Sequence, residues 1–326
     1  MTSLYLVPYS IRMRDTTNDK YIKLGDKQEW GSDFLEILHS YLEQEMPSLS
    51  FDPEAKAKKT IRSESFSREG RTVIGMLKAG EYGFESDLHD VEVDQTRYTR
   101  QTIDAELIPY FFLAKIPINT TNGIAIFQRL GNRGFKDVFE KDLNNYIAGK
   151  YSSQYRIEVT PLLPRDMVKR YLKNRIVKIR LIKHSFPKEV SDVDLSGIPD
   201  EEQGEAEFIL KASRDRSFPE KLLNKFRDDI DAFLGEGNSP VGSILEIKDF
   251  QADNVKIEVR VGNSYRTIDL SNIDKLRFSE DITDKVKLNP DSGHPEFEDL
   301  KKIATEFLND CAEALWGKNS NEQSSS

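Results

Sequence analysis

Residues Glu106–Leu130, ELIPYFFLAKIPINTTNGIAIFQRL, decide the fold because they contain the two most apolar segments of the chain. Glu106–Ile118 and Gly123–Leu130 are apolar at nearly every position rather than at alternate positions. That pattern predicts strands that are buried on both faces in the middle of a sheet. Asn119–Asn122 lies between them and predicts a hairpin loop, which makes the two strands antiparallel neighbours.

The segments around this hairpin predict further strands and several helices. Further strands are predicted at Leu4–Arg12, Thr72–Phe84, Asp90–Arg100, Gln154–Pro161, Arg175–Phe186, Glu207–Ala212, Ser243–Phe250, Val255–Val261 and Arg266–Leu270. Apolar residues at helical spacing predict helices at Trp30–Met46, Phe135–Ile147, Phe218–Leu234 and Pro295–Leu315, with a short one at Pro164–Asn174. Residues 48–70 show no period and are predicted to form a long loop.

Together these elements predict an α+β protein. A mainly antiparallel sheet is expected in the N-terminal half, and an antiparallel meander with flanking helices in the C-terminal half. A shift in composition near residues 149–153 predicts an N-terminal α+β domain at 1–150 and a C-terminal α+β domain at 151–317. A disordered polar tail is expected at 318–326. The alternative is that all strands share one sheet.

Composition excludes several classes of protein. Cys311 is the single cysteine of 326 residues, which excludes an intrachain disulfide framework and a cysteine-rich zinc site. The four histidines are scattered, so no metal site is predicted. No apolar run reaches the roughly 18 residues of a membrane-spanning helix, and the first residues do not resemble a signal peptide. A soluble cytoplasmic protein is expected.

Charge is distributed unevenly along the chain. The net charge is −9, which argues against a general nucleic-acid binder. Residues 129–183, however, contain 14 Lys or Arg and 5 Asp or Glu, a net of 14 − 5 = +9. Residues 185–207 then contain 8 acids and 1 lysine, a net of −7. Such asymmetry indicates charged partners, either within the chain or outside it.

The basic segment provides the candidate ligand-binding residues. They are Arg129, Arg133, Lys136, Arg165, Lys169, Lys173, Lys178 and Arg180. The first three flank the turn Gly131–Gly134 before a helix, where glycines and unpaired N–H groups can approach a phosphate. The others form a helical stripe and one face of a strand, an arrangement that suits a phosphate backbone.

Each group of cations has an alternative interpretation. The glycines of the turn can instead serve positive φ angles, with the basic residues solvated. The basic face can instead be paired with the acidic segment 189–207. A third hypothesis combines these possibilities: the acidic segment masks the basic face until a partner displaces it.

Evidence for catalysis in the sequence is thin, and whether the protein is an enzyme stays open. Glu246 and Lys248 have the local E-x-K form of a metal-dependent nuclease, in which carboxylates hold Mg²⁺ and the lysine positions water. Simple alternation on a half-exposed strand gives the same pattern. A cluster of Glu81, Glu85, Asp87 and His89 matches no known metal spacing. No cofactor is predicted unless the nuclease alternative holds, in which case it is Mg²⁺.

Two stretches carry a resemblance. Gly123–Val138 (GIAIFQRLGNRGFKDV) and Arg266–Thr283 (RTIDLSNIDKLRFSEDIT) resemble patterns in uncharacterised bacterial proteins, some of them found near phage-defence genes. The resemblance implies a bacterial accessory role, with phage defence as the expected setting, and no catalytic residue. The sequence as a whole predicts a cytoplasmic protein that binds DNA, RNA or another polyanion. The alternatives are the nuclease and a protein-interaction subunit of a larger complex.

Overall fold

The computed structural model describes residues 3–29, 31–46, 48–49, 58–162, 175–184, 206–213, 218–236, 250, 252–261, 264–270 and 277–316. The chain divides into two compact units, Met1–Thr160 with Ile282–Ser326, and Pro161–Asp281. Four α-helices and mostly antiparallel strands make up the described part, which confirms the predicted α+β class.

The first unit contains a mainly antiparallel sheet and a separate two-stranded hairpin. Its strands are β1 (Leu4–Asp15), β2 (Lys20–Ile22), β3 (Lys59–Glu69), β4 (Thr72–Glu81), β5 (Ser86–Asp90), β6 (Gln95–Arg100), β7 (Glu106–Lys115), β8 (Gly123–Leu130) and β9 (Tyr155–Pro161). The order in the sheet is β1-β8-β7-β4-β3, and β2 and β9 also pair with β1. Strands β7 and β8 therefore lie in the middle, as the sequence predicts, with Phe112 opposite Phe127.

Helices cover both faces of this sheet. The helices of the first unit are α1 (Phe34–Ser40), which continues as a π-helical turn (Tyr41–Glu45), α2 (Lys136–Lys150) and α4 (Phe297–Trp316). On one face, Phe127 stacks with Phe135 and Phe139 at ring distances of 4.6 and 5.4 Å. On the other, α4 contacts β7 and β8, and Phe297 lies 5.8 Å from Phe111. Burial on both faces explains why these strands lack alternation.

Strands β5 and β6 form a hairpin outside the main sheet. Its apolar side chains are unusually open to solvent: Val91 is 89% exposed, Val93 56% and Leu88 55%. Isolated two-stranded hairpins are only marginally stable in water. Apolar side chains concentrated on such an element are characteristic of a contact surface.

The second unit contains an antiparallel sheet and one described helix. Its elements are β10 (Arg175–Lys183), β11 (Ala206–Lys211), α3 (Glu220–Glu236), β12 (Asn254–Val261), β13 (Ser264–Asp269) and β14 (Arg277–Asp281). The strand order is β11-β10-β12-β13-β14. Ile179, Leu181, Val255, Ile257 and Val259 form a buried face, as do Leu223, Phe226 and Ile230 of α3. Alternation along each strand leaves the opposite face polar.

The prediction of a loop across residues 48–70 is wrong for its second half, where β3 lies at the edge of the sheet. A register shift between Ser63 and Ser65 hides the strand from period analysis. Ile61 and Phe66 are five positions apart, yet both pack against the same core. In a regular strand an odd separation places residues on opposite faces, and the bulge compensates for it.

The compact units differ in composition from the predicted domains 1–150 and 151–317. The first unit continues to residue 160 and takes in residues 282–326, including α4, which the sequence assigned to the C-terminal domain. The difference arises because α4 packs on β7 and β8, which belong to the first unit. This contact joins segments that are far apart in the sequence, so the sequence does not reveal it. The predicted helix Pro164–Asn174, strand Ser243–Phe250 and tail 318–326 lie outside the described residues, apart from Phe250.

Candidate functional site

The predicted turn before α2 is present. The N–H of Arg133 donates to the carbonyl of Leu130 at 2.9 Å, and the N–H of Leu130 donates to the carbonyl of Arg133 at 3.0 Å. Gly131 occupies the position with φ 56°, where a side chain would be strained. Phe135 precedes α2 without a capping side-chain hydrogen bond. Gly131 therefore has a positive φ, as the alternative interpretation of the turn expects, whereas Gly134 does not. The N–H groups of Gly131 and Arg133 both donate to backbone carbonyls.

The three cations of this turn have different surroundings. Lys136 binds Glu140 at 2.6 Å and Asp137 at 3.2 Å. Burial disfavours its charge, but these two carboxylates outweigh burial and raise the pKa of Lys136. Arg129 donates to the carbonyl of Gly131 at 3.3 Å. Arg133 is the most open of the three, with 63% of its side chain exposed and Glu106 at 3.7 Å.

The predicted cations of β10 belong to a larger basic surface on the polar face of the second unit's sheet. Lys178 lies directly opposite Lys211 of β11, and Arg180 lies directly opposite Lys256 of β12. A third pair of this kind joins Arg175 to Arg260. Like charges directly opposite in a sheet are destabilising. Lys178 and Lys256 also each lie directly opposite an acid, Glu258 and Asp269, so like-charged and opposite-charged pairs alternate across this face.

Three acids partly neutralise this basic surface. Glu258 accepts a hydrogen bond from Lys178 at 2.7 Å, and Asp269 lies 3.4 Å from Lys256. Glu207 pairs with Arg180, and that hydrogen bond is the main reason that its pKa is lowered. The six cations and three carboxylates named for this surface give it a net charge of 6 − 3 = +3.

Glu207 bears on the predicted masking by residues 189–207. It is the last acid of that segment, and its contact with Arg180 joins the acidic segment to the basic surface at one point. The side chain of Arg180 remains 40% exposed. Residues 189–205 lie outside the described part of the chain, so the masking hypothesis stays a prediction.

Sequence reasoning missed four of the six cations of the basic surface. Arg175, Lys211, Lys256 and Arg260 were not among the predicted residues, although the alternation in Asn254–Val261 signals two of them, Lys256 and Arg260. Val255, Ile257 and Val259 alternate there with charged residues, which fixes the charged ones on a single face. What the sequence does not give is the pairing of β12 with β10, which brings the two sets together.

Several other predicted residues can now be placed. Arg165, Lys169, Lys173, Glu246 and Lys248 lie outside the described residues. Glu81 faces Lys59 at 3.5 Å, whereas His89 bonds Asp94 at 2.9 Å. In the described part of the chain, no three His, Cys, Asp or Glu side chains are grouped so that they could hold a metal ion. Cys311 is buried.

Comparisons with known proteins add no family to this description. The chain matches no protein-family model and no curated protein. None of the helices that the structure describes has the length and apolar character needed to cross a membrane.

Proposed function

We propose that the protein binds nucleic acid through the polar face of the sheet in its second unit. The observation that carries the proposal is the set of three cation–cation pairs across β11, β10 and β12. Repulsion within these pairs costs stability in the unbound protein. A chain of phosphates passing over the face removes that repulsion and releases counterions, which makes binding favourable at low salt.

One aromatic residue favours a single-stranded ligand. Tyr265 lies directly opposite Arg260 at the end of the row that begins with Arg175, and it is 42% exposed. Proteins that bind single strands combine a cationic track with exposed rings on which bases stack. Phosphate contacts and stacking carry no base identity, so binding without sequence specificity is expected.

The test uses charge reversal on the face and a matched change elsewhere in the same unit. The double variant Lys211→Glu, Lys256→Glu is compared with Lys221→Glu, Lys225→Glu, whose two lysines are exposed on α3. Binding to labelled single- and double-stranded DNA and RNA is measured with and without Mg²⁺. Loss of binding confined to the first variant supports the proposal. Equal loss in both variants contradicts it, and Mg²⁺-dependent shortening of the substrate would favour the nuclease instead.

The stacking role of Tyr265 has its own test. Replacing it with leucine keeps an apolar side chain but removes the ring. Each stacked base contributes about 1–3 kcal/mol, so affinity for a single strand should fall roughly 5- to 150-fold. Affinity for a duplex, whose bases are already stacked, should stay near that of the wild type. Equal effects on both ligands would contradict a stacking role.

The protein-interaction alternative rests on a different observation, the exposed apolar residues of the β5–β6 hairpin. Val91, at 89% exposure, lies in the turn of that hairpin. The proposed role in bacterial phage defence, which rests on the sequence resemblance, is compatible with either function. Val91→Asp should abolish association with a partner chain if the hairpin is the contact, while leaving nucleic-acid binding unchanged. Co-purification of the same partner with this variant would contradict the alternative.

A further inference from the structure

A cavity of about 160 Å³ lies in the first unit, between strands β3, β4 and β7 and the turn before α2. Its size is close to that of a void of roughly 150 Å³ that holds one benzene molecule, and below the roughly 300–1,000 Å³ of drug-sized sites. Ile108, Val138 and Phe84 give it an apolar part. The volume admits a ligand with a single ring or a short side chain.

Tyr110 is the buried polar group of this cavity. The residue is 3% exposed and lines the cavity, and its hydroxyl makes no hydrogen bond to any described residue. The hydroxyl oxygen is not completely enclosed by protein atoms, so it stays accessible from the cavity. A buried hydroxyl without a protein partner costs free energy unless water or a ligand satisfies it.

Two cations and two carboxylates line the same cavity. Lys59 lies 3.5 Å from Glu81, and Arg133 lies 3.7 Å from Glu106. Both distances exceed those of hydrogen-bonded ion pairs, which are about 2.7–2.9 Å. By comparison, Lys136 is 2.6 Å from Glu140 on the adjoining helix. The four charged groups of the cavity therefore keep their hydrogen-bonding capacity for a ligand.

A buried cation, Arg100, lies next to this cavity. Arg100 is 5% exposed, lies 3.9 Å from Glu106 and donates to the backbone carbonyls of Asp104 and Glu81. Its guanidinium stacks 4.2 Å from the ring of Phe84. These bonds fix the backbone around Glu81 and Asp104, so this edge of the cavity needs little ordering when a ligand binds.

We propose that the cavity binds a small zwitterion of the α-amino-acid class. The lining charges sum to 2 − 2 = 0, which disfavours a multiply charged anion such as a phosphate. Two loosely spaced cation–carboxylate pairs instead match a ligand that carries one group of each sign. Arg133, Lys59 and the Tyr110 hydroxyl donate to the ligand carboxylate, while Glu81 and Glu106 accept from its ammonium group. This inference concerns the first unit and does not depend on nucleic-acid binding by the second.

The experiment measures binding of glycine, L-valine, L-leucine and L-phenylalanine to the full-length protein by calorimetry and ligand-observed NMR. Each amino acid is tested beside its N-acetyl derivative, which lacks the ammonium charge, and beside the corresponding amine, which lacks the carboxylate. Saturable binding of at least one amino acid, at least tenfold tighter than both derivatives, is expected. No binding at millimolar concentrations, or equal binding of the derivatives, would overturn the proposal.

Two variants locate the site. Tyr110→Phe removes one hydroxyl and should weaken binding about tenfold or more, because it deletes a hydrogen bond to a charged group. Arg133→Gln changes an exposed side chain and should weaken binding similarly without affecting folding. Lys302→Gln, on the exposed side of α4, is the control and should bind as the wild type does. Unchanged affinity in both cavity variants would overturn the assignment, and nucleic-acid binding should be the same in the wild type and Tyr110→Phe.

Discussion

Replacement of Lys256 by glutamine tests the basic surface with the least structural change. Its side chain is 30% exposed, lies opposite Arg180 and pairs loosely with Asp269 at 3.4 Å. The variant removes one positive charge and retains a polar side chain of similar length. Because exposed ion pairs contribute only about 0–1 kcal/mol, the variant should remain folded at 25 °C.

The size of the effect follows from counterion release. Each phosphate that the protein neutralises contributes about 0.9 to the slope of log affinity against log salt on duplex DNA, and about 0.7 on a single strand. The basic surface should contact between three and six phosphates, which correspond to its net charge and to its number of cations. The slope on duplex DNA should therefore be about −2.7 to −5.4. Lys256→Gln should reduce the slope by about 0.9. If the variant and the wild type bind equally at 1 M salt, the affinity of the variant at 0.1 M should be roughly eightfold lower than that of the wild type.

Fluorescence anisotropy of a labelled oligonucleotide, titrated at several salt concentrations, measures both quantities. Lys225→Gln is the matched control, since it makes the same chemical change at an exposed position of α3. It should reproduce the slope of the wild type. A slope for Lys256→Gln equal to that of the wild type, or an equal reduction in the control, would refute the placement of the interface on this face.

Three further predictions concern other parts of the structure. Glu207→Gln removes an acid from the basic surface, so nucleic-acid affinity at 0.1 M salt should rise by a few-fold; a fall in the same anisotropy assay would contradict the masking role of this residue. Burial and the neighbouring Asp142 raise the pKa of Tyr41 well above 10.0, so the unfolded chain releases this proton first and stability should fall as pH rises above about 10. Tyr41→Phe also loses a hydrogen bond of 2.8 Å to Asp142, so the variant should be about 1–3 kcal/mol less stable than the wild type at pH 7. In urea unfolding it should lose less stability than the wild type between pH 9 and 11. Parallel curves of stability against pH would contradict this account. Gly75→Ala places a Cβ 2.1 Å from the carbonyl oxygen of Ser65 on the neighbouring strand β3. The midpoint of thermal unfolding should therefore drop by several degrees, and an unchanged midpoint would contradict this close approach.

Local pattern was sufficient for much of the fold. Uniformly apolar β7 and β8 were placed in the middle of the sheet because burial on both faces leaves a direct mark on composition. Helix α2 and strand β12 have regular periods and were found close to their bounds. Strand β3 was missed because its bulge breaks the period. Strand β14 was missed because its five residues contain a single apolar one, Phe278, and therefore show no period.

The candidate site divides in the same way. Lys178 and Arg180 could be predicted to share a face, since strand alternation is local. Their opposition to Lys211 and Lys256 depends on the order and register of three strands, which no local pattern reveals. The cavity in the first unit was missed for a related reason. Lys59, Glu81 and Tyr110 come from three separate strands, β3, β4 and β7, and their sequence neighbours give no sign of convergence.

Binding of the unmodified protein to nucleic acid across a salt series tests the central claim most directly. The protein is titrated against single- and double-stranded DNA and RNA between 50 mM and 1 M salt, and its retention on heparin is followed in parallel. The account predicts binding at low salt, a steep negative slope and tighter binding to single strands. Absence of binding at 50 mM salt, or binding that does not change with salt, would contradict it.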